Sequence, residues 1–227
     1  MIMNNEIIKF ENVTFGYNDN ENLLSNINLT VLKGEFFFLT GVSGSGKTSL
    51  IKLIYLEQMQ KRGNIFIFGK NTRNAPKEDL RKKIGVVLQK PLLIEHLNIL
   101  ENILLPFKIS GIDTTKNMQE AIELLNWVGL KNVLHKYPRE ISIGEQHRAS
   151  IARAVIKKPS LILADEPTGN VDQETSNKIN NLFLALNKLG TTVIFATHKM
   201  QDVQYLKMPY FNINNGKIEK VVPNVNR

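Results

Sequence analysis

Four runs along the chain are apolar almost without interruption: EFFFLT (35–40), IGVVL (84–88), LILA (161–164) and TTVIFAT (191–197). Strands covered on both faces read this way. With helical patterns between them, they predict parallel sheet with crossover helices, an α/β fold. A second group alternates instead: EIIKFENVTF (6–15), NINLTVL (26–32) and NIFIFG (64–69) predict an antiparallel layer with one solvated face. YFNINNGKIEKVV (210–222) sets Asn-Gly between two short stretches, a hairpin signal. From Pro91 to about Lys158 no strand pattern occurs and helical periodicity takes over. In MQEAIELLNWVGL (118–130), Ile122, Leu125 and Gly129 lie close to one face, and Trp127 is expected in the interior. No repeat, low-complexity tract or flexible linker interrupts the chain.

Composition adds exclusions. At 227 residues, 42% hydrophobic and 22% charged, the chain can bury a sizeable core like an ordinary globular protein. It has no cysteine, which rules out disulfides, thiolate metal sites and a cysteine nucleophile, and agrees with a reducing compartment. The start, MIMNNEIIKFENV, lacks a basic stretch followed by an apolar run, so no secretory signal is expected. No uninterrupted apolar run reaches the roughly 18 residues of a membrane span, so any membrane role comes through a partner. Lysine plus arginine exceeds aspartate plus glutamate by 29 − 21, or +8. That balance invites a nucleic-acid reading. However, the densest groups are only Arg81-Lys82-Lys83 and Lys157-Lys158, without interleaved aromatics. A solvated face near acidic headgroups is expected, and no nucleic acid.

GVSGSGKT (41–48) fits G-x-x-x-x-G-K-[ST], follows a strand run and opens a helical pattern, KTSLIKLIYL. Glycines let the backbone turn tightly and aim N–H groups at phosphate oxygens, and the helix N-terminus adds partial positive charge. Gly41, Val42, Ser43, Gly44, Ser45, Gly46, Lys47, Thr48 and Ser49 are therefore the candidate phosphate-binding residues. Lys47 reaches the outer phosphates and Thr48 holds Mg²⁺.

In open α/β sheets, ligands sit beyond the carboxyl ends of the strands. Each apolar run ends in a polar residue suited to nucleotide chemistry: the phosphate loop, Gln89, Asp165-Glu166 and His198. Singly, Gln89 and His198 read as ordinary loop residues and Asp165-Glu166 before Pro167 as a turn. Gathered on one edge, they read as a site. Asp165 holds the metal shell, Gln89 binds metal and attacking water, Glu166 orients and deprotonates that water, and His198 contacts the γ-phosphate. Phosphoryl transfer asks mainly for such positioning and charge. Tyr17, in FGYNDN (15–20), stacks on adenine or is an ordinary strand-end aromatic; spacing leaves both open.

ISIGEQ (141–146) holds Ser142-x-x-Glu145, a capping box at a helix start. Taken in order, the phosphate loop, Gln89, ISIGEQ, LILADEP, GNVD and His198 resemble the ABC-type ATPase family over essentially the whole chain. The resemblance implies ATP and Mg²⁺ as cofactors and a single domain over 1–227. Its nucleotide-binding core and β subdomain would lie in 1–89 and 159–227, its helical subdomain in 90–158. It also implies an ATP-dependent homodimer, in which Ser142, Gly144 and Glu145 complete the ATP site of a facing copy. The wording is similar to the cell-division branch, which implies a peripheral place on the cytoplasmic face of the bacterial inner membrane. An integral membrane partner would dock near residues 90–106, where some of Leu92, Leu93, Ile94 and Leu97 are expected to stay exposed. Lipoprotein-release and macrolide-export ATPases share the TGN-x-D form, so that alternative stays open. The usual signature is L-S-G-G. Here Ile143 replaces its first glycine, favouring the helix but adding bulk where two copies close. A weakly hydrolysing, ATP-dependent dimerisation switch is therefore a further reading. A DNA-linked repair ATPase would carry a long coiled-coil insertion and a basic patch, and the sequence shows neither.

Overall fold

The computed structural model describes residues 5–18 and 21–222. The first four residues of the segment read as lacking a leader, and the Asp19-Asn20 end of the loop after Tyr17, lie outside the described residues.

Two sheets organise the molecule. Strands β1 (Glu6–Phe15), β2 (Leu24–Leu32), β4 (Arg62–Ile67) and β5 (Lys70–Asn71) form an antiparallel sheet in the order β2-β1-β4-β5. The second sheet has six strands: β3 (Phe36–Thr40), β6 (Ile84–Val87), β7 (Leu161–Asp165), β8 (Thr192–Ala196), β9 (Tyr210–Asn214) and β10 (Lys217–Val221). Their order is β10-β9-β3-β8-β7-β6, with every pairing parallel except the final hairpin.

The uninterrupted apolar runs are explained by two cores. Alternate residues point to opposite faces of a strand. Phe37, Leu39, Leu161, Leu163 and Ile194 pack with helix α1 (Lys47–Ile54) and the antiparallel sheet. Phe36, Phe38, Ile162, Val193 and Phe195 pack with Ile179, Phe183 and Leu186 of α6 (Gln173–Lys188) on the other side. Phe195 meets both Phe38 and Phe183 edge-on, each at 5.1 Å between ring centres. Strand β9 departs from expectation. It is the first arm of the hairpin, but it also joins β3 in parallel. Only two of its five residues are buried, so it alternates and reads as antiparallel sheet.

Between β6 and β7 the chain builds a helical block. It contains α3 (Ile99–Ile109), α4 (Met118–Trp127) and α5 (Ile143–Val155), which share a third core that includes Leu93, Ile103, Phe107, Leu125 and Ala149. Trp127 corrects the sequence expectation, being 45% exposed. It lies two positions past buried Leu125, about 200° further round the helix, and so faces solvent. Gly129 is not a face residue either: exposed and at φ 75°, it sits just past the end of α4. The remaining helices, α2 (Lys77–Arg81) and α7 (Met200–Leu206), are short. Among the described residues no helix is long and apolar enough to cross a membrane.

Register brings the strand ends together. Leu39 pairs with Ala196, Asp165 with Ala196, and Val87 with Ala164, so the loops after β3, β6, β7 and β8 leave one edge.

Candidate functional site

The loop after β3 turns through Gly41, Gly44 and Gly46 at φ 149°, 79° and 110°, conformations that side chains resist. At Gly41 space is the second reason: a Cβ would stand 2.5 Å from Ser45 Oγ and 2.7 Å from the Ile213 carbonyl. Helix α1 begins directly after the loop, and its first N–H groups have no carbonyl one turn back to bond. Lys47 is buried, and its Nζ donates to the carbonyls of Gly41 and Val42 at 2.9 and 3.1 Å. The ammonium is thereby folded back over its own loop. Ser45 Oγ is buried without a hydrogen-bond partner.

The ends of β7 and β8 face that loop. Glu166 Oε1 lies 3.7 Å from Lys47 Nζ, and Glu166 Oε2 lies 2.9 Å from His198 Nδ1. The Glu166 N–H donates to the Ala196 carbonyl at 2.9 Å, holding its backbone at φ 47°. Asp165 is buried, with Oδ1 unpartnered. Burial raises its carboxyl above the usual range, while Thr48 and Lys47 beside it pull the other way. The structure thus joins Lys47, Thr48, Asp165, Glu166 and His198 in one continuous cluster.

Gln89 is exposed after β6 and lies over the loop that follows Glu166; a Cβ on Gly169 would come within 3.2 Å of its Nε2. Tyr17 is 61% exposed, its ring edge-on to Phe15 and its hydroxyl 3.0 Å from Ser49 Oγ. An exposed face anchored to the first turn of α1 is open to a flat ligand.

One group escaped sequence reasoning. Asp202, fully buried on α7, accepts from Thr168 Oγ1 at 2.7 Å, Ser176 Oγ at 2.9 Å, Asn180 Nδ2 at 2.8 Å and Thr197 Oγ1 at 3.4 Å. Thr168 lies two residues after Glu166, and Thr197 directly precedes His198. Lys199 Nζ adds a bond to the Thr168 carbonyl at 2.6 Å. One carboxylate therefore holds both active loops against α6. Nothing in the sequence marks it, because an aspartate on an amphipathic helix ordinarily reads as a solvated residue.

At α5 the capping box is complete. The Glu145 N–H donates to Ser142 Oγ at 3.3 Å, and Glu145 Oε2 accepts from the Ser142 N–H and hydroxyl at 2.8 Å each. These bonds hold the Glu145 carboxyl below its usual pKa. Ser142 is exposed and Ile143 is 47% exposed. Gly144 is buried against α6, where a Cβ would stand 2.9 Å from Thr175 Cγ2. Among the described residues, no hydrogen bond or ion pair joins Ser142 or Glu145 to the Lys47 cluster; the two groups stand apart within one chain.

A phosphate loop, a carboxylate pair and a histidine on one sheet edge, with a capped helix turned outward, define a nucleotide-binding cassette. The profile of the ABC transporter family matches residues 24–169, and the chain belongs to that family. It is 35% identical over 215 residues to the cell division ATP-binding protein FtsE of Streptococcus pneumoniae serotype 2, covering 93% of this chain and 94% of that protein. It is also 36% identical over 222 residues to the lipoprotein-releasing system ATP-binding protein LolD of Rickettsia felis, covering 93% of this chain and 100% of that protein. Among solved structures, an ATP-binding cassette dimer in a post-hydrolysis state with ADP and Pi superposes with a TM-score of 0.83 at 32% identity. That match covers 94% of this chain and 98% of the other.

Proposed function

We propose that the chain is the ATP-binding and hydrolysing subunit of a membrane complex of the cell-division kind, working with an FtsX-like integral membrane partner. The observation that carries the hydrolytic part is the line from Lys47 through Glu166 to His198, at 3.7 and 2.9 Å, set against a phosphate loop. ATP would lie along Gly41–Thr48 with its base on Tyr17, and Lys47 would exchange its carbonyl partners for phosphate oxygens. Glu166 orients a water and takes its proton, His198 holds the Glu166 carboxylate in place, and Gln89 reaches the same water.

The donors fit Mg²⁺. Among the described residues no cluster of three or more His, Cys, Asp or Glu could cage an ion. Thr48 and the unpartnered oxygen of Asp165 offer the few hard oxygens that Mg²⁺ takes when phosphates complete its shell. When bound, the ion neutralises charge on the phosphates. Replacing Glu166 by Gln is expected to lower steady-state ATP hydrolysis about 10²–10⁴-fold while nucleotide binding persists. Equal, negligible rates in both proteins would instead favour the dimerisation switch.

The layout we infer is one domain, with a core in 1–89 and 159–227 and a helical subdomain in 90–158. The outward-turned Ser142–Glu145 group supports a homodimer in which each copy finishes the other's site, as do the dimeric relatives. The partner would dock near 90–106. There Leu92 is 58% exposed and Ile94 and Leu97 are half-buried, while Leu93 is buried in the helical core. The chain would then lie peripherally on the cytoplasmic face of the inner membrane. A lipoprotein-release role is the second reading, favoured by the LolD match over the same span. The neighbouring reading frame tests the first reading. A partner with about four spans and one large outer domain supports the first, and a permease with many spans and a solute-binding protein argues for uptake instead.

A further inference from the structure

Three consecutive residues open α1, and their side chains leave in three directions. Lys47 turns back onto the phosphate loop, donating to the Gly41 and Val42 carbonyls. Thr48 hydrogen-bonds Asp165 at the end of β7. Ser49 is buried, and its hydroxyl lies 3.0 Å from that of Tyr17, 32 residues earlier in the chain. Successive positions on a helix are about 100° apart, so one turn serves three walls of a site. The loop that carries Tyr17 is pinned through its backbone. A Cβ on Gly16 would stand 1.8 Å from the Glu21 carbonyl oxygen, and Lys61 Nζ donates to the carbonyls of Asn18 and Glu21. Those contacts set the loop, not the ring. The ring itself is 61% exposed, touched edge-on by Phe15 and held at its tip by Ser49. Without that tip contact, a ring so exposed would turn among rotamers.

The geometry points to Ser49 as the positioning residue for the nucleotide base, acting through Tyr17 and not through phosphate. Its hydroxyl fixes the ring with a flat face open, directly over the first turn of α1. The same turn carries Lys47 and Thr48, so the stacking platform and the phosphate loop keep one spacing. The inference rests on the reading that the base lies on Tyr17, and it adds what holds that ring in register with the triphosphate. A ring already fixed spares the entropy of ordering it when nucleotide arrives, and that saving appears as affinity.

The test measures ATP affinity by isothermal titration calorimetry on the full chain, with Glu166→Gln as the parent so that bound nucleotide persists. Tyr17→Phe, which removes only the phenol oxygen, is expected to weaken binding about 2–10-fold, and Ser49→Ala by the same factor. The double variant should bind no more weakly than the weaker single one, because both cut one bond. Ser49→Thr keeps a hydroxyl and should restore most of the affinity. Tyr17→Ala should cost about 5–100-fold, and adding Ser49→Ala to it should cost nothing further. Losses that multiply in the Tyr17→Phe, Ser49→Ala double variant assign Ser49 to the phosphates and overturn the inference. Undiminished affinity in either single variant overturns it too, and the base reading survives both results. A melting temperature of Tyr17→Phe well below the parent's would show that the bond serves the fold, and counts against the inference as well. ATP binding that Tyr17→Ala leaves unchanged, or that the parent lacks, overturns the base reading and the inference together.

Discussion

His147 lies on α5 two positions beyond Glu145, fully buried, with neither ring nitrogen partnered. Burial holds its pKa below the usual value. The native state therefore keeps the ring neutral, while the unfolded chain takes up a proton near pH about 6.5. Below that value the unfolded state binds more protons, so stability present at neutral pH is lost as the pH falls. Between about pH 7.5 and about pH 5.5, the melting temperature of wild type should fall about 2–4 °C further than that of His147→Leu, measured by differential scanning calorimetry. Equal falls would clear His147 of the effect. Lys47, Glu166 and His198 were legible because strand ends and a phosphate loop fix where their side chains go. His147 and Asp202 were not, because burial of a polar side chain in a helix depends on which neighbouring element covers it.

At the scale of elements, α7 is short, yet its Asp202 ties the loops after β7 and β8 to α6. In the proposed mechanism, displacing either loop misplaces a group that meets water or phosphate, and small misplacements cost rate rather than binding. Asp202→Asn should lower kcat about tenfold with KM for ATP nearly unchanged, and Thr168→Val should do much the same. The double variant should be no worse than the weaker single one, since both cut one network. Steady-state kinetics on the three proteins decides this, and an unaltered kcat in Asp202→Asn would end the argument. The parallel strands were readable because two cores cover them, and the α5 start because its cap is local. The parallel pairing of β9 was not, because a half-covered strand beside an edge alternates like antiparallel sheet.

On the scale of the whole molecule, the Lys47 cluster and the Ser142 group stand apart, and in the proposed homodimer each copy would finish the other's site. Ile143 stands beside Ser142, 47% exposed at the first position of α5, where two copies would press together. ATP should still bind each chain, but the closed pair should form reluctantly. With hydrolysis blocked by Glu166→Gln, adding Ile143→Gly should raise the dimer fraction at saturating ATP, read by sedimentation velocity. An unchanged fraction would acquit the isoleucine. Glu166 itself carries a different consequence. Its left-handed backbone, at φ 47°, is one that glycine or asparagine occupies with less strain. Evolving this chain for heat tolerance alone should therefore enrich Glu166→Gly and Glu166→Asn, giving hardier proteins without the proposed hydrolysis.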